Sequence, residues 1–269
     1  MKTYICFPGG KFKVLTMSYD DGKLEDRRLI EIFNKYGIKG TFHINSGLFS
    51  QDIRIKPEEF PNLYKGHEIA CHTLTHPTIA RCPLSEVIKE IGDDRINLEG
   101  ITHHPVQGLS YPNGSYSEDI EALLPGLGIK YSRIVGDSYG FALPDNLYEW
   151  LPTCHHNHRL LEMGEQFISL TKKQYLYMMY VWGHSYEFGR DNNWDVMERF
   201  CEMTGNRDDI WYATNIEYVN YMEAAKRLIY AYDSSFVYNP NAVSVWISIN
   251  NNTVVEIPGG SQIELTQYA

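Results

Sequence analysis

The chain is poor in residues that could cross-link it. Its 269 residues include only five cysteines, Cys6, Cys71, Cys82, Cys154 and Cys201. The number is odd, the spacings are scattered and no C-x-x-C occurs, so neither a disulfide framework nor a zinc ribbon is indicated. Reduced thiols are the simplest expectation. Positive charge is also scarce: 24 Lys and Arg face 34 Asp and Glu, a formal net charge of -10. Such a surface repels a phosphate backbone, which argues against nucleic acid as a partner. No apolar run reaches the ~20 residues that a spanning helix needs, so no membrane partner is expected. The segment from Met1 to Gly10 lacks an apolar leader core; with Met1 as the natural start, the expected location is cytoplasmic. Internal repeats and low-complexity tracts are lacking too. What is present is ordinary for one large α/β domain: 43% hydrophobic and 22% charged residues. Aromatic residues make up 13%, with 20 tyrosines and five tryptophans. Such rings can stack on sugar faces, although most serve as core.

Strand-like and helix-like segments alternate. The pattern predicts strands at Lys13 to Tyr19, Thr41 to Ile44, Glu68 to Cys71, Val106 to Tyr111, Tyr131 to Val135, Tyr175 to Trp182 and Trp211 to Ala213. Helices are predicted at Leu24 to Tyr36, from Leu84 through Ile91, and at Glu118 to Leu124, Asp195 to Met203 and Ile216 to Leu228. Repeated β-then-α units imply a parallel sheet, open or closed into a barrel. The tail differs. Ser244 to Ile249, Thr253 to Ile257 and Gln262 to Leu265 read as a β-meander, with packing against the barrel or another subunit as its expected role. The expected division is therefore 1–228 for the α/β unit and 229–269 for a β-rich extension, through which an oligomer could form.

Polar motifs fall at the ends of these strands. Asp20-Asp21-Gly22 closes the first, and His72-Thr73-Leu74-Thr75-His76 follows the third. Tyr111-Pro112-Asn113-Gly114 and Gly183-His184 lie at two more. In parallel α/β folds the carboxyl ends of the strands form the active face. One carboxylate and two imidazoles suit a divalent cation, and three protein ligands leave a position open. The second carboxylate is then placed to handle a proton. The bland alternative is that the aspartates cap the helix near Leu24 and the histidines satisfy backbone groups. The donor set suits zinc first, with iron, cobalt and nickel also served.

These motifs resemble those of the polysaccharide deacetylase family (carbohydrate esterase family four, the NodB-homology domain). Met17-Ser18-Tyr19-Asp20-Asp21-Gly22 is similar to the family's T-F-D-D-G strand end. His72 to His76 match its H-[ST]-x-x-H motif in type and spacing. The resemblance implies a distorted (β/α)7-like barrel. It implies that Asp20 is the general base and that Asp21, His72 and His76 hold the metal. It makes His184, in Tyr180-Val181-Trp182-Gly183-His184, the general acid. The family's R-x-P-[YFW]-G turn is represented by Ser110-Tyr111-Pro112-Asn113-Gly114, with serine in place of arginine. The Asn113 backbone N–H is the expected oxyanion donor. Arg133 is the expected substitute for the missing arginine, and Asp137 and Trp150 are the nearest counterparts of the fourth motif. Tyr111, Trp150, Trp182 and Arg133 are the expected substrate-groove residues. The implied activity is hydrolytic removal of acetyl groups from an N- or O-acetylated carbohydrate. A small non-sugar amide or cyclic ureide is the alternative substrate, and a catalytically impaired sugar-binding relative is the alternative class.

Cys154-His155-His156-Asn157-His158 forms a second cluster. Adjacent side chains diverge and rarely share one tetrahedral ion, so a loop over the groove is expected rather than a metal site. His43 is expected to be satisfied in the core. Glu187 lies three residues after His184 and is placed to orient it or the substrate. Tyr186, like Trp182, is placed to pack beside a sugar ring or to serve as core.

Overall fold

The computed structural model describes residues 1–268. Among these residues, fourteen strands and eight α-helices alternate along most of the length. The strands are β1 (Thr3–Cys6), β2 (Lys13–Asp20), β3 (Gly40–Ile44), β4 (Glu68–Cys71), β5 (Gly108–Ser110), β6 (Tyr131–Arg133), β7 (Cys154–His155), β8 (Tyr177–His184), β9 (Ile210–Tyr212), β10 (Ile229–Tyr230), β11 (Phe236–Tyr238), β12 (Val245–Ile249), β13 (Thr253–Ile257) and β14 (Gln262–Glu264). The helices are α1 (Asp26–Lys35), α2 (Phe60–Leu63), α3 (Leu84–Thr102), α4 (Glu118–Leu123), α5 (Leu160–Ser169), α6 (Tyr186–Asp191), α7 (Trp194–Thr204) and α8 (Asn215–Lys226).

A parallel sheet runs β6-β5-β4-β3-β2-β8-β7. It curls into a barrel. Trp150 exchanges backbone hydrogen bonds with Ser132 and Ile134 beside β6 (3.0 and 3.2 Å), and the Thr153 N–H donates to Tyr180 O of β8 (2.8 Å). The segment leading into β7 thus spans the gap between β6 and β8. β2 is the pivot. One edge pairs with β8 along its whole length; the other pairs first with β9 at Lys13 to Leu15 and then with β3 at Met17 to Asp20. Every residue of β2 is buried. Its apolar Leu15, Met17 and Tyr19 alternate with polar Thr16, Ser18 and Asp20, and both faces are covered.

The helices cover the barrel with the faces their periodicity predicts. Leu29, Ile30 and Phe33 of α1, and Val87, Ile91 and Leu98 of α3, are buried. Helix α5 was missed in sequence because Gly164 interrupts its apolar stripe. There α5 meets α7 so closely that a Cβ on Gly164 would lie 2.5 Å from Met203 Cε. Helix α6 was missed as well, being a single short stretch directly after β8.

The tail is not a meander. β12 and β13 form a hairpin, but β14 pairs with β11 in a different sheet. The hairpin's free edge is taken by β1, whose Thr3 pairs with Ile249. The pattern showed three strands but carried no information on their partners. Tyr221 of α8 fastens this layer to the barrel: its hydroxyl donates to Cys6 O (2.5 Å) and accepts from the Trp246 N–H (3.1 Å). No helix among the described residues is long and apolar enough to cross a membrane.

Candidate active site

Parallel pairing sends every barrel strand's carboxyl end to one face, and most of these ends deliver a polar side chain. β2 closes on Asp20 and leads to Asp21, β4 leads to His72, and β5, β6, β7 and β8 close on Ser110, Arg133, His155 and His184. Asp20 is in register with His43 on one side and His184 on the other.

Asp21, His72 and His76 come together, each offering a ligand atom within 4.8 Å of the others'. The imidazoles of His72 and His76 lie 4.8 Å apart at 72°. His76 Nε2 is 4.0 Å from Asp21 Oδ1. Asp21, Thr73 and His76 have φ of 84°, 65° and 65°, left-handed values that side chains other than glycine rarely adopt. Such strain persists where surrounding contacts over-determine the backbone, and it clusters at functional sites. The contacts are here. Asn45 Nδ2 donates to His72 O (2.6 Å) and Thr73 O (3.1 Å), and Arg54 donates to both Asn45 Oδ1 and the Asp21 carbonyl. The Asp94 carboxylate accepts from the backbone N–H groups of Ser46 (2.8 Å) and His72 (3.1 Å).

The trio fits a cation in its proton arrangement as well as its spacing. His72 Nδ1 faces Ser110 O at 2.9 Å and Ser110 Oγ at 2.7 Å. A carbonyl can only accept, so the proton belongs on Nδ1 and the lone pair on Nε2. Burial pushes His72 down to about 4, against the pull of Asp20 and Asp21, which keeps the ring neutral at neutral pH. Asp21 Oδ1 is buried without a hydrogen-bond partner. The Arg54 guanidinium lies 3.6 Å from it, and a buried carboxylate oxygen with no hydrogen bond beside a free imidazole lone pair is the pattern of a ligand set.

Asp20 is held differently. Its Oδ2 accepts from the Arg133 guanidinium, and its Oδ1 accepts from Ser110 Oγ at 3.0 Å. His72 Nε2 is 3.8 Å from Oδ2. Burial alone would raise this carboxyl; Arg133, His72, His43 and His184 outweigh it and hold the group well below the usual carboxylate range. Arg133 is itself fully buried, with its guanidinium 4.5 Å over the Trp182 ring.

Residues 8–132 match the family model described as polysaccharide deacetylase. Over that stretch the chain is similar to the polysaccharide deacetylase family. A curated relative, the peptidoglycan-N-acetylmuramic acid deacetylase PdaC of Bacillus subtilis (strain 168), is 23% identical over 113 residues, which is 41% of this chain and 23% of the relative. A solved structure from Mycobacterium smegmatis, described as a polysaccharide deacetylase, superposes with a TM-score of 0.63 at 17% identity, covering 82% of this chain and 94% of that one. The Xyl-CE4 domain of a multidomain xylanase, from the hindgut metagenome of Trinervitermes trinervoides, superposes at 0.55 with 14% identity over 80% and 92%. A family-four pseudoenzyme from Bacillus anthracis superposes at 0.50 with 14% identity over 80% and 68%. These likenesses establish the α/β barrel shared with the family.

Measured against the family pattern, Ser110 occupies the arginine's place and bridges Asp20 to His72. Arg133 reaches Asp20 from the next strand. As an ion-pair partner buried at 0% exposure, it does not line a groove. Trp150 does not line one either: it is 1% exposed and packed against Tyr131, Tyr180 and Tyr218. Tyr111 is likewise buried, stacked on Tyr116 at 5.0 Å. Trp182 is mostly buried, and its Nε1–H donates to Gly136 O (3.1 Å). Asn113 sits in the exposed turn after β5 with φ 57°, and its Nδ2 donates to Thr78 Oγ1 (3.3 Å) on the loop that carries His76. His43 is buried, its Nδ1 facing Cys71 O at 3.2 Å.

Asp137 does not approach His184. Its carboxylate accepts from the His155 N–H (2.5 Å) and faces His158 Nδ1 (2.6 Å). Glu187 does approach it, with Oε2 3.5 Å from His184 Nδ1. His155, His156 and Glu187 form a second group whose polar atoms lie within 4.8 Å of one another. The sequence had not marked Asn45, Arg54 or Asp94. Asp94 had left a signal: it falls on the buried stripe of Val87, Ile91 and Leu98, where an apolar residue belongs. A cavity of about 580 Å³ opens at the opposite end of the barrel, by Lys39, His67 and Glu68, away from all of these groups.

Proposed function

We propose that the chain is a metal-dependent hydrolase that removes acetyl groups from an N- or O-acetylated carbohydrate. The observation that carries this reading is the convergence of Asp21, His72 and His76 with Asp20 beside them, each aspartate in a different proton environment. The match to the deacetylase family model over residues 8–132 supports it, as does the name of the Bacillus subtilis relative, of which 23% is matched.

Asp21, His72 and His76 would hold the cation, zinc being the first choice for one carboxylate and two imidazoles. When bound, a divalent cation supplies Lewis acidity toward a carbonyl oxygen and acidifies water. The chain's own residues divide the remaining work. Asp20 stays ionised because Arg133 and Ser110 stabilise its charge, and it accepts the attacking water's proton on a carboxylate oxygen. The Asn113 N–H, at the tip of its turn, is the donor for the developing oxyanion. His184, across β2 from His43, gives a proton to the departing amine or alkoxide.

A second reading, a sugar-binding protein without turnover, is favoured by the loss of the family arginine at Ser110. The contact from Arg133 to Asp20 weighs against it, because it restores a cation beside the same carboxylate. The deciding experiment is an acetate-release screen with the zinc-loaded protein on chitooligosaccharides, acetylated xylo-oligosaccharides and p-nitrophenyl acetate, with cyclic ureides as the small-amide control. Acetate release from a saccharide is expected. Asp20→Asn should lower it by ~10²–10⁴-fold while metal content stays unchanged. Glycan binding with no release would support the second reading, and cleavage of ureides alone would move the substrate class.

A further inference from the structure

The histidine run after Cys154 has no part in the chemistry just proposed. Yet it sends two imidazoles to the same face: His155 is 7% exposed, His156 is 1%, and Glu187 between them is 9%. Glu187 belongs to the first turn of α6. Its Oε2 lies 3.0 Å from His155 Nε2, 3.3 Å from His156 Nε2 and 3.5 Å from His184 Nδ1. One carboxylate oxygen therefore faces three ring nitrogens.

The location of the protons separates the two uses of such a group. The Asn157 backbone N–H points at His155 Nδ1 at 3.2 Å. A backbone amide can only donate, so Nδ1 holds the lone pair and Nε2 the proton. A proton-bearing nitrogen does not ligate a cation, and this one donates to Glu187 instead. His156 is fixed by packing. Its ring stacks on Tyr19 (5.7 Å, 9°) and on Phe188 (4.1 Å, 27°). Its Nδ1 lies so close to Gly183 that a Cβ there would come within 2.0 Å. Only Nε2 is left to face a polar group, and it lies 3.3 Å from Glu187 Oε2 without forming a well-aligned hydrogen bond. The other carboxylate oxygen, Oε1, is 3.4 Å from Arg190. His184 Nδ1 is buried and makes no formal hydrogen bond; Glu187 Oε2, at 3.5 Å, is the carboxylate oxygen it faces, and the His184 backbone N–H also points at Oε2 at 3.4 Å. Asp137, the nearest counterpart of the family's fourth motif, is taken by His158 and the His155 amide.

We infer that Glu187 is the positioning residue of His184, fixing its proton on Nδ1, and that His155 and His156 clamp the Glu187 carboxylate in place. The inference rests on reading His184 as the proton donor. It goes further in assigning the second histidine cluster to that residue rather than to a second ion. A carboxylate on Nδ1 locks tautomer and ring orientation and leaves Nε2 as the nitrogen that exchanges a proton.

The test is the imidazole ¹⁵N spectrum of the full chain at alkaline pH, with the His184 signal assigned by its loss in His184→Gln. Wild type is expected to hold His184 as the Nδ1–H tautomer. Glu187→Gln should shift it toward the Nε2–H form, and His155→Gln should give a smaller shift the same way. In kinetics Glu187→Gln should lower kcat by about tenfold or more with little change in KM, and Glu187→Asp should recover part of the loss. An unchanged tautomer in a folded Glu187→Gln protein would overturn the inference. So would a second equivalent of zinc bound by wild type and lost in His156→Ala. The tautomer is read without turnover, so a protein inactive on every acetylated substrate but showing the expected shift would refute the deacetylase reading and leave the clamp standing.

Discussion

Two histidine-carboxylate groups share one end of this barrel, and by distance alone they are equals. Asp21, His72 and His76 offer atoms within 4.8 Å of one another, and so do His155, His156 and Glu187. They differ in where their protons lie. His72 gives its proton to Ser110 and turns a lone pair toward Asp21; His155 takes a backbone N–H on Nδ1 and turns a proton toward Glu187. The first arrangement suits a cation and the second does not. Proximity of ligand-type residues is thus a weak criterion until each ring's outer partner is known, because that partner decides which nitrogen can coordinate.

Metal binding should separate the groups most sharply. His72→Ala should lower zinc affinity by more than the roughly 10–100-fold that loss of an outer partner costs, whereas His156→Ala should keep wild-type stoichiometry. Elemental analysis after dialysis measures both. Equal losses would erase the distinction. Next comes the anchor of the first group. Arg133→Met leaves the buried Asp20 charge without its partner and should cost about 3–5 kcal/mol in urea unfolding. A loss below 1 kcal/mol would show that Asp20 does not depend on that contact.

The barrel's other end supplies a control. Burial pushes Glu68 up to about 7, despite hydrogen bonds from Ile216 N–H, Tyr131 and Thr41. The folded value lies above the unfolded one, so its stabilising contribution is complete below about 4.5 and lost as pH rises to about 7. That is worth on the order of 3 kcal/mol for this group. Asp26 and Asp94 are pushed the same way, also to about 7, each by burial. Glu68→Gln should therefore raise stability at pH 8 relative to pH 5 by up to about 3 kcal/mol, compared with wild type. An unaltered slope would mean that Glu68 is ionised in the folded chain. The smallest effect tests the clamp. Gly183→Ala drives a methyl into His156 and should destabilise by about 1–3 kcal/mol, without changing metal content.

Sequence showed the order of elements well and their company poorly. The limits of β4 and β13 were legible to the residue, because apolar residues bounded by turn formers leave little choice. The metal trio was legible because all three residues sit in two short motifs. Groups acting across strands were not. Ser110 looked like a missing arginine, yet its hydroxyl and carbonyl tie two motifs together. Arg133 was visible as a charged residue in a predicted strand, but only barrel curvature brings it to Asp20, 113 positions away. Trp150 looked like a groove wall because tryptophan often is one; its backbone closes the barrel and its ring fills the core. The tail failed for the same reason: hairpin signals give neighbours in sequence, and β14 chose β11.

The pairing of β1 with β12 has a cost in time. Lys2 and Asn250, hydrogen-bonded at the end of that ladder, are 248 residues apart. At ~5–20 residues per second, a ribosome needs roughly 10–50 seconds to supply the second after the first. Throughout that interval the leading strand has an unpaired edge, open to mispairing with other nascent chains. This layer therefore cannot form until β12, made long after β1, has emerged.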